Sequence, residues 1–161
     1  MAASTAVVVA ALVAVGLLAG EAARIDAREH RLPNFLVLLC YPVVLLALTC
    51  LALIREPKWL VALVGLLIWA LPIGLLWLLG GQRGMGPGDV KLALPLGATL
   101  GLVAPVAALI GIVAAFVVGG CFALARMVRR SAASSVAFGP FMFAGWGIAL
   151  LAYPLLVSLR Q

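Results

Sequence analysis

Gly84-Met85-Gly86-Pro87-Gly88-Asp89-Val90-Lys91 interrupts an otherwise apolar chain and delivers a carboxylate to the mouth of a hydrophobic run. Its glycines let backbone approach closely. Flexible backbone of this kind cannot cross lipid exposed, so the stretch lies at a membrane surface or is packed in protein. An ionisable group at the edge of hydrocarbon is expensive and marks a functional position by default. The chain has two aspartates, Asp26 and Asp89, and both stand at the ends of long apolar runs.

The composition makes the surroundings of that stretch a membrane. Of 161 residues, 66% are hydrophobic and 10% charged, against about half and a quarter in a soluble domain. A bilayer accommodates such a chain, because spans of roughly 20 apolar residues need no water-facing side. The expected fold is an all-α membrane protein. It is a polytopic bundle of about six transmembrane helices in one domain over residues 1–161, with both termini outside and no room for a separate soluble unit. The net charge of +6 comes in short groups between apolar runs. No basic stripe interleaved with aromatics is present, which argues against nucleic acid as a partner. A basic rim that orients the spans and meets anionic membrane lipids fits better. Cys40, Cys50 and Cys121 lie inside apolar runs without a C-x-x-C pair, so they read as buried, inert thiols.

Upstream of the glycine-rich stretch, three spans are expected. The first runs from about Ser4 to Arg24. Its charges follow the apolar part instead of preceding it, so it reads as a retained span and not a signal peptide. The helix continues through Ile25-Asp26-Ala27-Arg28-Glu29 until Leu32-Pro33-Asn34 breaks it. The second span covers about Asn34 to Ile54, with Pro42 inside, and Arg55-Glu56-Pro57-Lys58 forms a tight polar turn. The third runs from about Trp59 to Leu79, with Trp59 and Trp77 where interfacial aromatics are expected.

Downstream, the fourth span from Asp89 to about Leu100 is a dozen residues, too short for a hydrocarbon core. It is either shielded by neighbours or begins below the surface. Gly97 and Gly101 form a G-x-x-x-G pair suited to close helix contact. The fifth span runs from about Val103 to Ala125 and the last from about Phe138 to Ser158. With the N-terminus outside, eight basic residues (Arg24, Arg28, Arg31, Arg83, Lys91, Arg126, Arg129, Arg130) lie on the inner face and three (Arg55, Lys58, Arg160) on the outer. The positive-inside rule then turns both aspartates to the cytoplasm.

Two acids at one membrane face suit hydrolysis by an acid pair. One carboxylate takes a proton from water and one carboxylic acid protonates the carbonyl oxygen, and closely held carboxyls share a proton. Blander readings stand beside this. Asp89 can be the helix N-cap of an ordinary glycine turn. Asp26 can pair with His30 or Arg28 on a solvated helix end, and Glu21 ranks as a third acid. His30 is the sole histidine, and neither G-x-S-x-G nor H-E-x-x-H occurs.

At these residues the chain resembles the type IV prepilin peptidase family of GxGD aspartyl proteases. Gly84-Met85-Gly86-Pro87-Gly88-Asp89-Val90-Lys91-Leu92 resembles the family's central motif. Ile25-Asp26-Ala27-Arg28-Glu29-His30-Arg31-Leu32-Pro33-Asn34 is similar to its first-aspartate motif, and Phe138-Gly139-Pro140-Phe141 more loosely resembles a third element. The resemblance implies that Asp26 and Asp89 are the catalytic pair, that Gly84, Gly86, Pro87, Gly88 and Lys91 belong to the substrate-binding motif, and that no metal or cofactor is used. It further implies a substrate with a short basic leader and a hydrophobic helix, cleaved at the cytoplasmic face of the inner or plasma membrane. The zinc-motif insert of larger relatives is absent, so methyltransferase activity is not expected. A proton-coupled transporter or channel subunit, with the two acids as a relay, is the alternative from another class. A purely structural membrane subunit is the third.

Overall fold

A computed structural model describes residues 2–29, 31–80, 85–128 and 137–159. Among the described residues there are six helices and no strand: α1 (Ala2–Glu29), α2 (Asn34–Leu53), α3 (Trp59–Gly80), α4 (Pro87–Val103), α5 (Pro105–Val128) and α6 (Gly139–Ser158). All but α4 are long and apolar enough to cross a membrane. Their outer faces carry residues such as Leu17, Leu45, Leu71, Val117 and Leu151, all well over half exposed. A coat of that kind belongs against hydrocarbon and not water.

Prolines and glycines set the punctuation. Pro33 takes an extended conformation and its carbonyl accepts from Leu36 and Val37, opening α2. Ala104 is extended (φ −169°, ψ 147°), as a residue before proline tends to be, and it alone separates α4 from Pro105 at the start of α5. The Arg55-Glu56-Pro57-Lys58 turn closes α2 with two bonds, Arg55 N–H to Ala52 O and Glu56 N–H to Leu51 O, with Arg55 in the left-handed region at φ 59°. At this end the Ser4 hydroxyl donates to Glu56 and holds its carboxyl below the usual range, which brings the start of α1 to the α2–α3 turn.

The fourth helix has 17 residues instead of a dozen, because Pro87 and Gly88 already form its first turn and Gly101, Leu102 and Val103 extend its end. At about 1.5 Å per residue it is about 25 Å long. It is shielded by neighbours: α4 packs on α1, α2, α3, α5 and α6, and from Leu92 onward it is buried almost all round. A helix apolar all round belongs inside a bundle. Its closest partner is α3, through the expected Gly97 and Gly101. A Cβ on Gly101 would meet Val61 O and sit 3.1 Å from Gly65 Cα, while one on Gly97 would sit 2.5 Å from Gly65 O. Here backbone lies on backbone, the arrangement that small residues permit in membrane bundles.

Polar groups inside the bundle are matched. Trp69 Nε1 donates to Ala108 O at 2.8 Å. Trp146 Nε1 donates to Thr99 Oγ1 at 3.1 Å, and that hydroxyl donates back to Pro95 O at 2.9 Å. In hydrocarbon an unmatched polar group costs several kcal/mol, so these bonds are obligatory wherever the residues are kept. Trp59 and Trp77 are partly exposed at opposite ends of α3, as interfacial aromatics should be. Of the cysteines, Cys40 is buried but Cys121 is exposed, because its position on α5 faces outward; the buried reading fails there.

Candidate active site

The C-terminal end of α1, the start of α2, the start of α4, the end of α5 and the start of α6 meet at one end of the bundle, around a cleft of about 720 Å³. Asp26 and Asp89 both line it. Asp26 is 5% exposed and Asp89 7%. Two carboxyls far apart in the chain are thus buried on one cleft.

Asp26 reaches the cleft because α1 buries a stripe of Ser4, Val8, Ala11, Val15, Ala19 and Ala22, and Asp26 is its next position. Steps of three and four residues keep one face of a helix against its neighbours. Asp26 is therefore buried and not on a solvated helix end; its expected pairing with His30 falls on a residue outside the described ones. Gly139 N–H of α6 donates to Asp26 Oδ2 at 3.1 Å. Glu21 stands off the stripe, half-exposed, and accepts from Arg24 Nε at 2.9 Å and also from Nη2. It does not line the cleft.

Asp89 is held by its own helix. Gly86 is the N-cap of α4, Pro87 and Gly88 follow, and Asp89 is the third helical residue, not the N-cap. Asp89 N–H donates to Gly86 O at 3.1 Å, and Gly86 N–H donates back to Asp89 Oδ2 at 3.0 Å. This is the reaching-back half of a capping box, with backbone replacing the side chain that Gly86 lacks, and the helix dipole favours an acid there. Pro87 suits the first position because its missing N–H would be unsatisfied anyway.

Gly86, Pro87 and Gly88 all line the cleft, with Gly86 and Pro87 exposed. Gly88 is needed for space: a Cβ there would lie 3.1 Å from Leu32 Cβ. Leu32 also faces Gly139, so one side chain from the α1–α2 connection is wedged between the first turn of α4, which carries Asp89, and the start of α6, whose Gly139 amide holds Asp26. Met85, Phe116, Gly119, Phe138 and Phe141 supply the apolar part of the wall.

Lys91 does not line the cleft. Its exposed Nζ donates to Asn34 Oδ1 at 3.4 Å, tying the start of α4 to the start of α2. Its carbonyl has a second tie. The residue four positions on is Pro95, which has no N–H to close the helical bond. The Tyr41 hydroxyl donates to the freed Lys91 O at 2.9 Å instead. Gly84 and His30 lie outside the described residues.

Leu32, Asn34, Tyr41 and Gly139 are the site neighbours that no assigned role in the sequence reading anticipates. Only Pro95, four residues after Lys91, hints in the sequence at an orphaned carbonyl. Leu32, Asn34 and Gly139 fall within the stretches that resemble family motifs, but their contacts join distant helices and have no local signal.

The arrangement offers two enclosed carboxyls, each with one oxygen held by a backbone amide, beside an exposed glycine-proline backbone edge. Neither a search of curated proteins nor one of solved structures finds a match. The profile of the type IV leader peptidase family matches residues 10–124, from the first half of α1 to near the end of α5, and takes in both aspartates. With that match over most of its length, the chain belongs to the type IV leader peptidase family.

Proposed function

We propose that the chain is a membrane aspartyl endopeptidase that removes the leader of prepilin-like proteins, with Asp26 and Asp89 as its acid–base pair. The observation that carries this reading is the pair itself: two carboxyls, each more than nine-tenths buried, on one cleft at one end of the bundle. Close, desolvated carboxyls favour a state with one proton between them. The ionised member takes a proton from water as that water attacks the scissile carbonyl. The protonated member gives its proton to the carbonyl oxygen. When the tetrahedral intermediate collapses, a proton passes to the leaving amine and the pair returns to its starting state. Each such transfer contributes roughly 10²–10⁴-fold.

The rest of the mouth serves this reaction. The exposed Gly86-Pro87 edge and the bare Gly88 leave room for an extended substrate strand beside Asp89, which backbone hydrogen bonds would align. Gly84, which precedes this edge in the sequence, is assigned to the same substrate-binding motif. Lys91 acts at a distance, fixing the start of α4 against Asn34 and Tyr41. Among the described residues, Arg24, Arg28, Arg31, Lys91 and Arg126 lie on the helix ends around the cleft, while Arg55 and Lys58 lie in the opposite turn. The positive-inside rule then faces the cleft to the cytoplasm. A substrate whose apolar helix sits in the bilayer places its leader in the cytoplasm and the bond between them level with the cleft.

The test uses purified protein in lipid and a prepilin-like peptide carrying its leader and apolar helix. Wild type is expected to release the leader, with a chelator making no difference. Asp26→Asn and Asp89→Asn are each expected to lose at least about a hundredfold in kcat/KM while staying folded. Robust cleavage by either variant refutes the pair. Proton flux across liposomes with no leader cleaved refutes the peptidase.

A further inference from the structure

The first turn of α6 has few amides to spare. Phe141 N–H and Met142 N–H both donate to Phe138 O, at 3.0 and 3.1 Å. Pro140 has no N–H, and Phe138 supplies no side-chain cap. The Gly139 N–H is the donor left over, and helix starts need an outside acceptor for such groups. It finds Asp26 Oδ2, 113 residues away in sequence and buried. A carboxylate of α1 therefore caps α6, with the positive end of that helix turned toward it.

The capping works because position 139 has no side chain. A Cβ there would lie 2.7 Å from the same Asp26 oxygen and 3.3 Å from Leu32 Cδ2. Any other residue would displace the carboxyl that the amide now holds. Gly139 lies beyond the residues that the family profile matches, within the stretch Phe138-Gly139-Pro140-Phe141, and its contact with Asp26 is seen in the fold.

We infer that Gly139 is a positioning residue: the bare backbone at the start of α6 sets where the Asp26 carboxyl stands in the cleft. The inference rests on the peptidase reading for its consequence in catalysis, but the hold itself is measurable without turnover. The chain has two aspartates, so full-length protein labelled with [13Cγ]aspartate gives two side-chain carboxyl resonances, assigned with Asp26→Asn and Asp89→Asn. Gly139→Ala is expected to move the Asp26 resonance more than that of Asp89. In the same variant kcat is expected to fall at least about tenfold with KM changed less than about threefold, the mark of a misplaced group and not of weakened binding.

Leu32→Ala removes the other contact a Cβ at 139 would make. In the Leu32→Ala background, Gly139→Ala is expected to lower kcat by the same factor. An unmoved Asp26 resonance, or a Gly139→Ala effect that vanishes with Leu32→Ala, overturns the inference and leaves position 139 a matter of packing. A further measurement leaves 139 intact: the Gly139 amide proton is expected to exchange at least about tenfold faster in Asp26→Ala than in wild type. Equal exchange in the two proteins also overturns it. If the Asp26 resonance moves but wild type cleaves no leader peptide, the peptidase reading fails and the hold of Gly139 on Asp26 stands.

Discussion

Glycine does two different jobs at the two sides of α4. Along the α3 seam, Gly65, Gly97 and Gly101 bring backbone onto backbone, and any added carbon meets main chain that cannot yield. At the mouth, Gly88 and Gly139 leave room for side chains: a Cβ on either meets Leu32, and one on Gly139 also meets Asp26. The seam is a packing device, closed over most of its length, whereas the mouth opens on a cleft of about 720 Å³. The seam holds α4 rigid, so that the first turn of α4 can present Asp89 at a fixed height. Stability and activity should therefore part company between the two sets.

Gly97→Leu attacks the seam and carries the largest expected effect on stability. The clash is with Gly65 O and Trp69 Cβ, so the helices must separate. The expected loss is at least about 3 kcal/mol, at the upper end for an overpacked core. Unfolding in detergent followed by circular dichroism measures it. A loss under about 1 kcal/mol would mean that the seam is looser than backbone contact implies.

Gly88→Ala attacks the mouth. Its Cβ meets Leu32 Cβ at 3.1 Å and Cδ1 at 3.2 Å, a contact that a few tenths of an ångström of movement in Leu32 relieves, so stability should change by less than about 1 kcal/mol. Leu32 borders the first turn of α4, which carries Asp89, and the start of α6, which holds Asp26, and the shift should lower kcat/KM about tenfold, since small displacements of reacting groups weigh heavily on rate. A variant that unfolds instead would erase the contrast with the seam.

Tyr41→Phe sharpens the comparison at the smallest scale. It leaves Lys91 O without the hydroxyl that replaces the amide Pro95 lacks. The expected loss of stability is about 0.5–1.5 kcal/mol, with a fall in cleavage rate no larger than that of Gly88→Ala. A larger kinetic effect would place Tyr41 in the site and not in its support.

The helices were legible because apolar runs near 20 residues are punctuated by prolines, glycines and charges, and these are the features that end helices. The length of α4 was not legible, since Pro87 and Gly88 start the helix inside what reads as a glycine-rich loop. Asp26 was legible as a candidate, but its burial was not. The stripe on α1 that leads to it is marked by small residues at Ala11, Ala19 and Ala22, and in a helix apolar on every side polarity carries no such signal. The reaching-back of Asp89 to Gly86 follows from local chemistry, although the blander of the two sequence readings made Asp89 the N-cap, a place that Gly86 takes. The partnership of Asp26 with Gly139 had no local sign, because it joins the two ends of the chain.

The central claim is that Asp26 and Asp89 act as one unit, and a double-mutant cycle on cleavage of a leader-bearing peptide tests it most directly. Groups that work together lose nearly everything at the first removal. Asp26→Asn and Asp89→Asn should each cost at least about a hundredfold in kcat/KM, and the double variant should be no worse than the poorer single. Losses that multiply in the double variant, or a single variant that still cleaves at near the wild-type rate, would contradict the shared site.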